Sequence, residues 1–463
     1  MMHAPHPADE TRSVVLQDLI NQRGLSRFQI VTFLLCFLIL VLDGYDTVVV
    51  GYIAPALKAH FGAAPAQLAP MFGAGLFGLT VGSFVFGPVA DRFGRKPTLI
   101  ASIAVFALFS LVSAWANSIG MLIALRFLTG LGLGGAMPNA YTLAAEYCPD
   151  RLRSTLVAPI GCGIAVGGAL GGLVASRMIA AFGWQSMLVL GGVLPLLVVA
   201  VLARWLPESA RYLVARGGSQ AQARAILQRV APDATFDNVA ITLGENRVQG
   251  QPIRQLLRPG VGGGTLLLWT TAFMALFVIY FLGNWLPLLI QQSGLSFNHA
   301  SLMTALYLTG NSLGAILLGL LMDRMNPQYV LCGAFVCAAI SLASFGHLSG
   351  MPALALLALF VTGVGTGGTM TGTNILSAGY YATAARATGV AWTLGMGRIG
   401  SIVGSMIGGA MLAAHWGPKV IFGVVAAPLV VAAVSVHVLA RYRLRCADMH
   451  REAEEVAIGS AGR

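Results

Sequence analysis

The sequence predicts an all-α membrane protein: twelve transmembrane helices arranged as two six-helix halves. Three observations carry this. Of the 463 residues, 57% are hydrophobic and only 10% charged, against about 25% charged in an ordinary soluble domain. The apolar residues gather into twelve stretches of about 20, the length that crosses a hydrocarbon core about 30 Å thick. The chain also matches itself at an offset of 232 to 233 residues. Its 57 glycines suit helices whose backbones approach one another inside a bilayer.

Taken in order, residues 1–27 are polar, with Asp9, Glu10, Asp18 and three arginines, so no cleavable signal with a short apolar core is read there. The first half, 28–206, contains stretches 28–57, 68–90, 97–116, 119–145, 155–176 and 184–206, divided at Gly, Pro and charge clusters. A long polar insert, 207–263, follows as a central loop. The second half, 264–440, contains 264–291, 300–322, 328–348, 351–379, 387–412 and 420–440, and 441–463 forms a tail. Of 28 Lys and Arg, 22 fall on the side of the termini and central loop, whereas Lys58, Arg177 and Lys419 fall on the other and Arg126, Arg204 and Arg398 lie within spans. The positive-inside rule makes the termini and loop cytoplasmic.

The net charge of +11 is therefore topology, and no nucleic-acid partner is expected, because the basic residues form no face or binding motif. The six cysteines lack metal-ligand spacing, so no metal is expected. No histidine falls in the middle of a span. There is no GxxxxGK[ST] phosphate loop, which excludes drive by ATP bound to this chain. Neither a cofactor nor an enzymatic activity is expected.

The internal match is specific. "GLFGLTVGSFVFGPVADRFGRKP" aligns with "YLTGNSLGAILLGLLMDRMNPQY", setting Gly78, Gly82, Gly87, Asp91 and Arg92 on Gly310, Gly314, Gly319, Asp323 and Arg324. "FLTGLGLGGAM" aligns with "FVTGVGTGGTM" one residue further on, and Arg153 falls on Arg386. Parallel six-span repeats are a construction of carriers that hold substrate between their halves near the midplane.

These motifs carry a resemblance. "GPVADRFGRK" and "RFLTGLGLGG" resemble the loop and fourth-span signatures of the major facilitator superfamily, and "PESARYL" at 207–213 is similar to the end of span six in its organic-solute porters. Within it, "LDGYDTVVVGYIAPAL", "MPNAYTLAAEY" and "RATGVAWTLGMGRIG" resemble the aromatic acid:proton symporters. The resemblance implies a carrier in a bacterial cytoplasmic (inner) membrane, working as a monomer, that imports an aromatic acid anion such as 4-hydroxybenzoate, protocatechuate or benzoate with protons. The second-half loop "GLLMDRMNPQY" departs by losing its glycine and later basic residues, which suggests a lesser gate. Span five lacks the central Gly-Pro of the antiporters, which disfavours drug export.

Of the 17 acidic residues, only Asp43 and Asp46 lie deep in a span. An intramembrane carboxylate is costly enough that a functional role, proton relay first, is the default reading. At i, i+3 the two share one helical face, and two such carboxylates resist ionising together. Both are expected in proton coupling. Counting rise per residue, Asp43 and Arg126 each lie about 21 Å from the cytoplasmic face and Asp46 about 25 Å. Arg126 is accordingly expected to pair with Asp43, leaving Asp46 easier to protonate, with direct substrate contact as its alternative role. Arg398, about 15 Å deep, has no carboxylate predicted at its level. Its planar fork suits a substrate carboxylate; a bond to backbone carbonyls or to Asp43 across the cavity is the alternative.

Rings and amides at similar depth include Tyr45, Tyr52, Tyr280, Trp285, Tyr307 and Trp392, with Asn139, Asn284, Asn311 and Asn374. Rings can sandwich a substrate and amides can meet its hydroxyls. Trp392 and Asn374 are favoured, and Tyr45, Tyr307 and Asn311 join the expected substrate set. A cytoplasmic gate of breakable ion pairs is expected from Asp91, Arg92, Arg95, Glu146 and Arg153, with Asp323, Arg324 and Arg386 as repeat counterparts. The competing functions are a carrier for another organic acid or a sugar, and a transporter-like chemosensor that binds without accumulating.

Overall fold

A computed structural model describes residues 13–215, 220–230, 240–242, 256–258, 260–348, 351–381 and 383–461. Among them, twelve helices are long and apolar enough to cross a membrane. In the first half these spans are Arg27–Phe61, Pro65–Phe93, Arg95–Ser113, Ile119–Glu146, Arg153–Phe182 and Gln185–Trp205. In the second they are Gly262–Gln292, Phe297–Arg324, Pro327–Phe345, a tenth in two pieces, Thr383–Ala413 and Pro418–Ala461.

Local chemistry sets the ends. Span one starts at a capping box, in which the Ser26 hydroxyl accepts from the Gln29 N–H and the Gln29 amide oxygen accepts from the Ser26 N–H. It stops at Gly62, whose φ of 62° favours a residue without Cβ. Pro65 and Pro327 open spans two and nine at the first turn, where a missing N–H costs nothing.

Spans ten and twelve carry detail that their apolar stretches do not show. Span ten crosses as one stretch, Pro352–Tyr380, with a turn at Gly368 between Pro352–Gly367 and Thr369–Tyr380. The tail expected after 440 continues the twelfth helix to Ala461, although only Pro418–Tyr442 is apolar enough to span. Arg, Ala and Glu dominate beyond 442 with no proline, so nothing stops the helix there.

The internal repeat is visible as packing. Spans one with five, two with four, and three with four and six pack in the first half, as seven with eleven, eight with ten, and nine with ten and twelve do in the second. The shared glycines explain the sequence match. A Cβ on Gly78 or Gly82 would run into the backbone of Phe127 or Leu131, and one on Gly310 or Gly314 into Phe360 or Val364 at the equivalent places. Small residues let the backbones touch, which apolar lipid alone does not drive.

Residues 1–27 were read only as polar, yet part of them folds. Strand β1 (Ser13–Val15) pairs in parallel with β2 (Ala240–Thr242) of the central loop. Leu16 and Ile20 are buried in the same cluster as Leu227, Val230 and Ile241. Arg229 lies 4.5 Å above the Phe28 ring, and Asp150 accepts hydrogen bonds from Gln17 and Asn21. The terminus and the central loop are thus fastened to the first half.

Glu208, after span six, stitches that half together. Its Oε1 accepts from the backbone N–H groups of Arg95, Lys96 and Ser209 at 2.8, 3.2 and 2.8 Å, placing a carboxylate on the positive end of span three. Tyr147 donates its hydroxyl to the Glu208 carbonyl, and burial keeps this phenol well above its ordinary titration range. Gly94 turns the chain beneath the carboxylate with φ 106°, and a Cβ there would overlap it. Gly94→Ala is expected to destabilise by about 1–3 kcal/mol, the usual cost of such backbone strain, read as a lower melting temperature in detergent; an unchanged melting temperature refutes the role.

The halves meet through spans five with eight, two with eleven and one with seven. The contacts lie in the membrane half away from the termini. A Cβ on Gly51 would strike the backbone of Gly283 and Asn284, one on Gly172 would meet Ala305, and one on Gly409 would meet Ala69. The halves approach closely on that side, backbone to backbone at Gly51 and through small side chains at Gly172 and Gly409.

Candidate functional site

A buried polar cluster lies beneath those contacts. Arg126 on span four places Nη1 3.2 Å from Asp46 Oδ2 and 3.3 Å from Oδ1. Each side chain is 3% exposed. Ser110 on span three donates to Asp46 Oδ1 at 3.1 Å and accepts from Arg126 Nη2 at 3.4 Å, which also reaches Thr129 Oγ1. The expectation that Arg126 pairs with Asp43 is therefore corrected. Equal depth along the spans misled, because a helical side chain leans toward its own N-terminus. Span four starts on the far side and span one on the terminal side, so Arg126 leans outward and meets Asp46 as Asp46 leans inward.

Asp43 is 2% exposed and, among the described residues, has no ion pair. It accepts a hydrogen bond from Thr47 Oγ1 at 3.3 Å. Its charged neighbours are Asp46 and, across the halves, Arg398. Arg398 on span eleven donates through Nη1 to Ser83 Oγ on span two at 2.9 Å, and Tyr280 on span seven lies within electrostatic reach of Asp43 and Arg398. Two constellations result, one locked inside the first half and one divided between the halves.

A small cavity of about 30 Å³, room for a water molecule or two, opens beside the first of these constellations, with Asp43 and Arg398 outside its lining. Asp46, Thr47, Arg126 and Asn284 supply its polar wall, and Val50, Met71, Phe72, Leu76, Leu79 and Leu133 its apolar wall. Phe72 meets Trp285 edge-on at 4.9 Å, and Trp285 donates to the Ser405 carbonyl at 2.7 Å, which holds the ring against span eleven.

The other expected contacts lie elsewhere. The Tyr45 hydroxyl donates to the Met187 carbonyl at 2.8 Å, within the first half. Tyr307 is fully buried in an apolar core shared by both halves. Asn311 donates to Thr366 at 3.2 Å between spans eight and ten. Trp392 is 43% exposed and stacks on Trp269 at 6.0 Å. Asn374 is half-buried on the second piece of span ten. None of these five lines the cavity. Sequence reasoning missed Ser83, Ser110, Thr129 and Thr47, hydroxyls without a distinguishing pattern, and named Asn284 without selecting it.

At the terminal side, Arg95 pairs with Asp91 at 2.8 Å and approaches Glu146 at 3.9 Å, and donates to Asn139. These pairs stay within the first half. Arg92 is exposed and its guanidinium lies 5.3 Å from the Phe93 ring. Asp323, Arg324 and Arg386 are exposed and have no ion pair among the described residues. The side chain of Arg153 lies outside the described residues. Among the described residues, Asp91 and Glu146 both meet Arg95 within the first half, and no ion pair joins the gate residues of one half to those of the other.

The comparisons agree with this architecture. The family model of the Major Facilitator Superfamily matches residues 36–300 and 268–455. A 4-hydroxybenzoate transporter, PcaK, of Pseudomonas putida is 43% identical over 92% of this chain and 95% of its own length. A gallate transporter of the same species is 40% identical over 93% of this chain and 96% of its own. Among solved structures, the inward-open conformation of the xylose transporter XylE from E. coli matches with a TM-score of 0.72 at 20% identity, covering 88% of this chain and 95% of that one.

Proposed function

Because the chain belongs to the major facilitator superfamily, we propose that it imports an aromatic carboxylate with protons by alternating access across a bacterial inner membrane, its termini and central loop in the cytoplasm. The observation that carries the reading is the divided constellation: Arg398, with one hydrogen bond among the described residues, lies within electrostatic reach of an Asp43 that has no ion pair. A substrate carboxylate supplies the bidentate partner a guanidinium fork suits. Protonating Asp43 then removes the negative charge that would otherwise repel the incoming anion. Asp46, held by Arg126 and Ser110, is the poorer proton carrier, which reverses the order expected from the sequence. The relatives named for 4-hydroxybenzoate and gallate support the substrate class.

The deciding experiment is uptake of labelled 4-hydroxybenzoate into cells expressing the chain, with and without a protonophore. Accumulation that falls about tenfold or more with the protonophore is expected. Accumulation indifferent to the protonophore refutes proton coupling, binding without accumulation indicates a sensor, and uptake blocked by a sugar but by no aromatic acid overturns the substrate class.

A further inference from the structure

We propose that Asn284 is the specificity-determining residue for ring-hydroxylated acids, its side-chain carbonyl oxygen accepting a hydrogen bond from a hydroxyl across the ring from the carboxylate. This rests on the reading of the cargo as an aromatic carboxylate. Asn284 lines the cavity and is 4% exposed.

The orientation of its amide is dictated by its neighbours. Nδ2 lies 3.0 Å from the Tyr280 carbonyl oxygen, which can only accept, so the nitrogen must face it. The second N–H goes to Ser405 Oγ at 2.9 Å, and Ser405 gives its own proton to the Ser401 carbonyl at 2.8 Å, so Oγ is available as an acceptor. Both donors are engaged. Oδ1 accepts no hydrogen bond among the described residues and is the open polar atom of a residue whose free side is the cavity.

No wall group donates to it; the unpartnered Nε–H of Arg126 is fully buried. Thr47 gives its proton to Asp43, and Arg126 donates to Asp46, Ser110 and Thr129. A ligand is left to provide the donor. The spacing also fits. Asn284 reaches Ser405, which lies seven residues beyond Arg398 on span eleven, a rise of about 10 Å, roughly one aromatic ring with a carboxylate and a hydroxyl at its ends and a hydrogen bond at each. A carboxylate at Arg398 thus sets a para hydroxyl against Asn284, in the water-sized space lined by Val50, Met71, Phe72 and Leu76. An acid without that hydroxyl leaves Oδ1 buried and unpaired, and burial of an unmet acceptor is the stronger half of hydrogen-bond selectivity.

The test begins with the native protein and para-substituted benzoates competing against labelled 4-hydroxybenzoate. The hydroxyl and amino compounds, which donate, are expected to compete about tenfold better than the methoxy and fluoro compounds, which do not, as one hydrogen bond to a buried group warrants. Asn284→Leu, similar in volume without the acceptor, is expected to bring that ratio near one. Ser405→Ala, which frees the amide to turn, is expected to reduce it several-fold and decides the matter if Asn284→Leu fails to reach the membrane. No donor preference in the native protein, or a ratio unchanged in the variants, overturns the assignment alone. If no aromatic acid competes at all, the substrate reading itself falls.

Discussion

Arg126→Ala is expected to abolish uptake and to lower stability by about 3–5 kcal/mol, the usual consequence of leaving one member of a buried ion pair alone. The geometry makes the case strong. Asp46 and Arg126 are almost wholly buried, and Ser110 and Thr129 complete a network over spans one, three and four. Without the guanidinium, Asp46 keeps one serine bond in a low-dielectric interior. Replacing both charges by neutral amides, Asp46→Asn with Arg126→Gln, is expected to restore most of the stability, since a buried pair roughly balances its own desolvation. Uptake is not expected to return if the pair shapes the cavity wall. Thermal unfolding in detergent beside cellular uptake measures both. A stable, active Arg126→Ala protein would remove the pair from structure and transport together.

The second large effect separates coupling from binding. Asp43→Asn is expected to lose uphill accumulation about a hundredfold while keeping exchange of internal for external substrate, because a neutral amide mimics the protonated carboxyl and lets the loaded carrier move but not return its proton. Arg398→Ala is expected to lose both, because the anion then has no partner. Counterflow into preloaded vesicles reads exchange, and accumulation under an imposed proton gradient reads coupling. Exchange and accumulation failing equally in Asp43→Asn would assign that residue to binding, and accumulation retained would take it off the proton path.

Most of the fold was legible because membrane burial writes long apolar runs and because the repeated glycines sit where backbones touch, as Gly78 with Phe127 and Gly310 with Phe360 demonstrate. The two deep aspartates and deep arginines were equally plain, since charge within an apolar run stands out. Their pairing was not, for it depends on side-chain lean and helix contacts that depth counting leaves out. Hydroxyls such as Ser83 and Ser110 carry no signal until a partner is beside them, and the turn within span ten at Gly368 looked like any other glycine in a rich background. The β1 and β2 pairing escaped because three residues on each side are too short to show alternation.

The hydrogen bond from Arg398 to Ser83 joins the two halves. On the proposed reading, a carboxylate that takes the Nη1 proton now given to Ser83 evicts the serine, so cargo and interface compete for that proton. Occupancy then loosens one strut between the halves in the act of filling the site, and emptying restores it. By reciprocity, whatever strengthens that strut weakens the grip on the anion. In that reading a single arginine on the seam couples the arrival of the anion to the contact between the halves.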